Sequence, residues 1–155
     1  MPRSDLLKGR CSLEHQVYHI TCTTQGRVCW FESAVLSKIV ISEMRRLLEA
    51  GYVDSLAWVL MPDHLHWLFV LQSEQDLSTV IRLLKGRSAR LMNAHLQRTG
   101  MIWQKGFYDH AVRADEDLQR TARYIVANPL RAGLVDHIGD YSWWDAVWLE
   151  DGLIG

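Results

Sequence analysis

The sequence predicts an α+β protein with a ferredoxin-like core, an antiparallel sheet with helices on one face. Three features of the 155 residues predict it. Short segments are rich in β-branched and aromatic residues, longer segments carry apolar residues at helical spacing, and the two kinds alternate in a defined order. That order is strand, helix, strand, strand, helix, strand (βαββαβ), followed by an additional C-terminal helix and a tail.

The first half of the chain contains a strand, a helix and a hairpin. Residues 16–24 are rich in β-branched and aromatic residues and are predicted as a strand. Residues 31–50 carry apolar side chains at helical spacing, and Gly51 stands where a helix C-cap is expected. Apolar runs at 52–60 and 64–71 are separated by a Pro-Asp pair that is typical of a turn, so they are predicted as two strands of a hairpin.

The second half repeats the helix and the strand. A helix capped by Asp76 or Ser78 is predicted from apolar residues that share one face, and residues 101–113 are predicted as a fourth strand with an irregular start. A third helix is predicted after the acids at 115–117, because negative charge stabilises a helix N-terminus, and Pro129 ends it. Its core-facing stripe is predicted to be Leu118, Ala122 and Ile125. The Trp-rich, acidic tail follows.

Length and composition indicate one globular domain. The chain is predicted to be a single domain, residues 1–155, with a core at about 10–135 and a C-terminal extension at about 136–155. Its 48% hydrophobic and 23% charged residues exclude collagen, coiled coil and wholesale disorder. Three cysteines without a CxxC pair argue against a disulfide framework and a cysteine zinc site. Without a signal-peptide core or a membrane-length apolar run, we expect a cytoplasmic protein with no membrane contact.

The positive charges are concentrated in one segment, although the formal net charge is only −1. Residues 77–108 contain no acid, whereas the chain from Ala132 onward contains five acids and no Lys or Arg. An acid-free segment predicts an anion-binding face, and a solvated helix side is the alternative. The candidate DNA-binding residues are Arg82, Lys85, Arg87, Arg90, Arg98 and Lys105. Four aromatic residues could stack on unpaired bases or pack in the core: Trp103, Tyr108, Trp143 and Trp144.

The strongest local signal for chemistry is the pair His64 and His66. On a strand, residues two apart share a face, so both imidazoles could chelate one cation, and an exposed polar strand face is the alternative. Two ligands leave a metal under-coordinated. Tyr124 and Asn128 lie one turn apart on one flank of the third helix, where a phenol and a carboxamide could lean over the sheet. Considered one at a time, each has a simpler alternative. Tyr124 could be an aromatic residue at the edge of the core with its hydroxyl in water, and Asn128 could be a helix-terminal residue before Pro129.

A set of motifs resembles one known family over about residues 10–148. The motifs are Met61-Pro62-Asp63-His64-Leu65-His66, Trp103-Gln104, Phe107-Tyr108-Asp109-His110, Tyr124-Ile125-Val126-Ala127-Asn128-Pro129 and Gly133-Leu134-Val135. They resemble the REP-associated tyrosine transposases, which are related to the HUH single-tyrosine transposases of insertion sequences. REP denotes a repetitive extragenic palindrome, which forms a DNA hairpin.

The resemblance implies a metal-dependent endonuclease and strand transferase for single-stranded DNA at a hairpin. It implies that His64, His66 and Asn128 bind a divalent cation, Mg²⁺ or Mn²⁺, and that Tyr124 is the nucleophile that forms a 5′-phosphotyrosine. Insertion-sequence relatives more often carry Gln where this chain has Asn128. The resemblance also implies a bacterial, cytoplasmic, nucleoid-associated protein, monomeric or homodimeric. A cleavage-deficient hairpin-DNA binding protein and a zinc hydrolase using the H-x-H pair are the alternatives.

Overall fold

A five-stranded antiparallel sheet forms the centre of the computed structural model, which describes residues 16–72, 74–113 and 118–147. The strands lie in the order β4-β1-β3-β2-β5, and the first four positions confirm the predicted ferredoxin-like order. The predicted acidic start of the third helix, residues 115–117, lies outside the described residues. The elements are β1 (Val17–Thr23), α1 (Ala34–Glu49), β2 (Val53–Met61), β3 (His64–Leu71), α2 (Leu77–Leu96), β4 (Tyr108–Ala111), α3 (Leu118–Val126), α4 (Asn128–Arg131) and β5 (Trp144–Ala146).

Two edge strands differ from the prediction. β4 occupies only 108–111 of the predicted 101–113, because the preceding segment forms a loop in which Trp103 is buried and bridges Thr24. The tail contributes a fifth strand that was not predicted, β5, which pairs antiparallel with β2. Three residues are too few for alternation to distinguish a strand from a loop.

Helices α1 and α2 cover one face of the sheet. The buried side chains on the sheet side include Ile20, Leu65, Trp67 and Phe69. The helices contribute their own buried stripes, which include Leu36, Val40 and Leu47 of α1 and Ile81 and Leu84 of α2. Each fully buried side chain of this size contributes about 1.5–3 kcal/mol relative to exposure. This face is therefore occupied by core packing.

The opposite face of the sheet is covered in part by α3. Ala122, Ile125 and Val126 are buried in one cluster with Val59 and Met61 of β2, and Leu118 packs against the cluster. This matches the predicted stripe of the third helix. The packing fixes α3 on the same face of the sheet as the side chains of His64 and His66, which alternate with the α1/α2-facing Leu65 and Trp67. No helix among the described residues is long and apolar enough to cross a membrane.

Candidate metal and nucleophile site

His64 and His66 project from β3 toward the same side, as the alternation of a strand requires. Their ring centroids are 4.9 Å apart and the rings are nearly perpendicular, at 86°. Both side chains are partly buried, and Leu65 between them is fully buried on the other face. The structure thus brings the two predicted ligands together.

One nitrogen of His64 is held by the residue that precedes it. Nδ1 of His64 lies 2.7 Å from Oδ1 of Asp63, and Arg27 donates from Nε to Oδ2 of the same carboxylate at 2.8 Å. Partial burial alone would raise the pKa of Asp63, but hydrogen bonds and charge from His64 and Arg27 lower it overall. Since a carboxylate only accepts, Nδ1 of His64 is the donor, which leaves Nε2 for another partner.

The other histidine is oriented from the neighbouring strand. Thr21 stands opposite His66 in the register of β1 and β3, and its Oγ1 lies 3.0 Å from Nδ1 of His66. His19 places Nε2 at 3.1 Å from the same nitrogen. Burial first, and then electrostatic interactions with His64, His19 and Arg131, lower the pKa of His66 to about 3. The ring is therefore neutral at physiological pH, which is the form that binds a metal.

Sequence reasoning missed Asp63, His19 and Thr21 as supports of the histidine pair. The signals were present, because Asp63 directly precedes His64, and His19 and Thr21 alternate along β1. In a ferredoxin-like order β1 is the neighbour of β3, so one face of β1 must lie beside the histidines. Burial, followed by an electrostatic interaction with His110, also lowers the pKa of His19 and so favours its neutral form.

Tyr124 and Asn128 lie where the third helix ends. α3 stops at Val126 and α4 starts at Asn128, with Pro129 in its first turn. Nδ2 of Asn128 donates to the carbonyl oxygens of Ile125 at 2.9 Å and Tyr124 at 3.4 Å. These bonds use the amide nitrogen, so the carboxamide oxygen is the atom suited to a ligand role. The Tyr124 side chain is 57% exposed.

Arg131 contacts both the ring and the backbone of Tyr124. Its guanidinium carbon lies 3.9 Å from the centroid of the Tyr124 ring, and Nη2 donates to the Tyr124 carbonyl oxygen at 2.5 Å. Its charge is also among those that lower the pKa of His66. Sequence reasoning did not single out Arg131, and its position one helical turn after Asn128 was the available signal.

The donor set suits a divalent cation of intermediate softness. Within residues 16–72, 74–113 and 118–147, no group of three or more His, Cys, Asp or Glu side chains is arranged to hold a metal. The donors predicted from the sequence are the two imidazoles and the Asn128 side chain, whose amide nitrogen donates to α3 carbonyl oxygens. Imidazoles with their second nitrogens held by neighbours fit Mn²⁺ readily, and an amide oxygen also suits Mg²⁺.

The predicted DNA-binding residues divide between two sides of the sheet. Arg82 and Arg90 are exposed on α2, and Arg87 is half-buried there, on the face opposite the histidines. Arg98, just after α2, donates to Oδ1 of Asn93 at 2.7 Å and stacks over Trp30.

Lys85 and Lys105 meet at the loop before β4. The Lys85 ammonium donates to the carbonyl oxygens of Gln104, at 2.8 Å, and Gly106. Lys105 is exposed in that loop and lines a pocket on the histidine side with Thr21, Thr23 and Tyr108. Lys105 therefore lies beside Thr21 and Thr23, which share the sheet face of the histidine pair.

The aromatic candidates also differ in their surroundings. Trp103 is buried and donates from Nε1 to Oγ of Ser88 at 3.0 Å, so it belongs to the core. Trp143 and Trp144 are half-buried, and Trp144 donates to the carbonyl oxygen of Ile138 at 3.1 Å. Tyr108 is 80% exposed beside Lys105. Among the four, Tyr108 is the most exposed.

Comparison with known proteins identifies several similar sequences. The sequence profile of a family described as "Transposase IS200 like" matches residues 12–128. A REP-associated tyrosine transposase of Escherichia coli K12 is 30% identical over 86 residues, which span 55% of this chain and 49% of that protein. A Haemophilus influenzae protein provisionally named as a REP-associated tyrosine transposase is 30% identical over 151 residues, which span 91% of this chain and 82% of that protein.

Solved structures share the fold. A structure of the REP-associated tyrosine transposase bound to a REP hairpin superposes with a TM-score of 0.72 at 21% identity, covering 84% of this chain and 76% of that one. A provisionally named transposase from Deinococcus radiodurans R1 superposes with a TM-score of 0.54 at 20% identity, covering 76% of this chain and 84% of that one. At these identities the likeness concerns the fold.

Proposed function

Because the chain belongs to the IS200-like transposase family, we propose that it is a metal-dependent endonuclease and strand transferase for single-stranded DNA. We propose hairpin DNA as its substrate, in line with the REP hairpin bound by its structural neighbour. One observation supports the proposal above the others: α3, which bears Tyr124, packs on the sheet face that carries His64 and His66. The helix that bears this phenol therefore lies on the same side of the sheet as the two imidazoles.

The cation would be held by His64, His66 and Asn128. When bound, Mg²⁺ or Mn²⁺ would supply positive charge that polarises a non-bridging oxygen of the scissile phosphate. The protein contributes the orientation of the ligands. Asp63 fixes one imidazole and Thr21 and His19 fix the other, so both rings keep their Nε2 atoms turned away from these partners.

Tyr124 is the proposed nucleophile. Its Oη attacks the phosphorus, the Oη–P bond forms, and the bond from phosphorus to the 3′ oxygen breaks. The leaving oxygen keeps the electron pair and takes a proton to become a 3′-hydroxyl, while the phenol proton passes to solvent. The product is a 5′-phosphotyrosine that keeps the phosphodiester bond energy, so attack by a 3′-hydroxyl in the reverse direction rejoins DNA.

DNA affinity is assigned to two sets of positive charge. Lys105 and the exposed Tyr108 lie on the histidine side, where a single strand could pass the site with a base stacked on the tyrosine ring. The exposed arginines of α2 lie on the far side and would contact the backbone of a longer hairpin. Both sets would give salt-sensitive binding.

A covalent protein–DNA product tests the proposal directly. The protein is incubated with labelled single-stranded hairpins in the presence of Mn²⁺, Mg²⁺ or a chelator, and the products are separated on a denaturing gel. We expect a metal-dependent band of retarded DNA that protease digestion removes. Hairpin binding without that band would indicate a cleavage-deficient binder. Esterase activity with bound zinc and no DNA cleavage would indicate a zinc hydrolase.

A further inference from the structure

We propose that Arg131 holds the Tyr124 side chain in place and binds the phosphate that Tyr124 attacks. The inference deepens the proposed function and rests on it. Arg131 ends α4, one helical turn after Asn128, so the two side chains leave the same short helix on neighbouring positions. The residue thus connects the proposed nucleophile with the proposed metal ligands.

Arg131 makes a double contact with Tyr124. The guanidinium lies 3.9 Å from the ring centroid, and its Nη2 donates to the carbonyl oxygen of the same residue at 2.5 Å. One contact fixes the guanidinium to the backbone and the other covers one face of the ring. Tyr124 is more than half exposed, so a rigid planar neighbour restricts its side-chain rotation more than loose surface contacts would.

The positive charge of Arg131 lies beside Tyr124. The helix that bears Tyr124, α3, packs on the sheet face that carries His64 and His66. A phosphate placed between the Tyr124 hydroxyl and the His64–His66 pair would therefore enter the field of this guanidinium. The phosphodiester brings one negative charge, and more develops on its oxygens during transfer.

The Arg131 guanidinium has more N–H donors than its contact with Tyr124 uses. A guanidinium has five N–H groups in a planar fork, and the bond to the Tyr124 carbonyl uses one of them. Within the part of the chain that the structure describes, no carboxylate forms an ion pair with Arg131. The remaining donors match the oxygens of a phosphate, which guanidinium groups bind through paired hydrogen bonds.

A purely structural role is the competing explanation. Arg131 could serve only to cap the C-terminal carbonyls of α3, as basic residues at helix ends commonly do. Such a role predicts loss of stability without a specific effect on the chemical step. The experiment must therefore measure the rate of cleavage separately from DNA affinity and from folding.

The experiment uses the full chain with a labelled hairpin that the unchanged protein cleaves. Single-turnover cleavage rates are compared for Arg131→Ala, Arg131→Gln, Arg131→Lys and a matched control, Arg123→Ala, which removes one exposed positive charge from α3. We expect Arg131→Ala to slow cleavage by about 100-fold, the usual effect of removing one donor to a developing oxyanion. Hairpin affinity should change by a few-fold at most, and Arg123→Ala should cleave normally.

A neutral phosphate separates binding of the phosphate from structural support. With a methylphosphonate at the scissile position, the negative oxygen that Arg131 would bind is replaced by a methyl group. We expect the rate ratio between the unchanged protein and Arg131→Ala to shrink at least several-fold on this substrate. If the ratio is the same on both substrates, or if Arg131→Ala cleaves normally, the inference is wrong.

Further variants separate an effect on cleavage from an effect on folding, and one outcome tests the proposed function itself. Arg131→Gln keeps a donor for the Tyr124 carbonyl and should melt close to the unchanged protein, yet cleave slowly. Arg131→Lys keeps the charge without the fork and should be intermediate in rate. If the unchanged protein forms no covalent product with any hairpin, the proposed function itself fails, and this inference fails with it.

Discussion

Thr21 and His66 face each other across β1 and β3, with the threonine hydroxyl 3.0 Å from Nδ1 of the imidazole. The orientation of a proposed metal ligand thus depends on the register of the two central strands. A shift of one residue would replace Thr21 with Ile20 or Cys22, both of which belong to the core on the other face. The core that fixes this register therefore also fixes the direction of His66.

Replacing Thr21 with valine removes the hydroxyl and keeps the shape of the side chain. Valine cannot hydrogen-bond to Nδ1 of His66, so we expect the affinity for Mn²⁺ to fall by about 10-fold. This is the lower end of the loss in metal affinity that follows when a residue supporting a metal ligand is replaced. Isothermal titration calorimetry measures the affinity. Thr23→Val, on the same strand and face, is the matched control and should bind Mn²⁺ as before. Equal affinities for the two variants would contradict the assignment.

Tyr124→Phe removes one oxygen and keeps the ring that Arg131 covers. We expect hairpin affinity within a few-fold of the unchanged protein and complete loss of the covalent product on a denaturing gel. His64→Ala and His66→Ala should also lose the product, but only these two should lose bound Mn²⁺. Tyr108→Phe is the control among exposed tyrosines, and an active Tyr124→Phe with an inactive Tyr108→Phe would reassign the nucleophile.

The arginines of α2 test whether DNA reaches the far side of the sheet. For the double variant Arg87→Ala and Arg90→Ala we expect weaker hairpin binding. The slope of log K against log salt concentration should flatten by about one unit for each phosphate that the variant no longer binds. Fluorescence anisotropy at several salt concentrations measures both. Unchanged affinity and slope would restrict the DNA to the side of Lys105 and Tyr108.

Tyr141 predicts a pH dependence of stability that is independent of the proposed site. Its hydroxyl donates to the carbonyl oxygen of Leu60 at 2.6 Å, and burial raises the pKa of Tyr141 to about 12. We expect Tyr141→Phe to lower the free energy of unfolding by about 1 kcal/mol at pH 7. The folded pKa lies above the ordinary value of about 10, so this contribution is complete below pH 10 and is lost as pH rises toward 12.

Urea unfolding at pH 7, 9 and 10.5 measures the difference between the unchanged protein and Tyr141→Phe. Burial also raises the pKa of Cys22 to about 12. Because both proteins contain Cys22, its effect cancels in the difference between their unfolding free energies. Tyr52→Phe is a half-buried control. If the difference in unfolding free energy between the unchanged protein and Tyr141→Phe grows with pH, the raised pKa of Tyr141 is contradicted.

Strong periodicity made most of the fold predictable from the sequence. The bounds of β3 agree with the prediction, and the stripe of Ala122 and Ile125 is buried as expected, because each pattern extends over several turns or alternations. β5 escaped prediction because its backbone bonds to β2 form without a pattern long enough to recognise. Its existence depends on tertiary pairing.

The candidate site was predictable only in part, for a related reason. His64 and His66 are neighbours within one strand, so their shared face follows from local geometry. The contacts of His19 and Thr21 with His66 depend on pairing between strands more than 40 residues apart in sequence. Arg131 escaped notice because its contact with Tyr124 depends on the break between α3 and α4, which no periodic pattern describes.

The taper of the sheet limits how copies of the chain can associate. The central strands β2 and β3 are nine and eight residues long, whereas the outer strands β4 and β5 contain only four and three. Within the described residues, each open edge therefore presents few unpaired backbone groups for another sheet to join. Edge-to-edge growth into aggregates is disfavoured at high concentration, without any need for a charged or proline-blocked border.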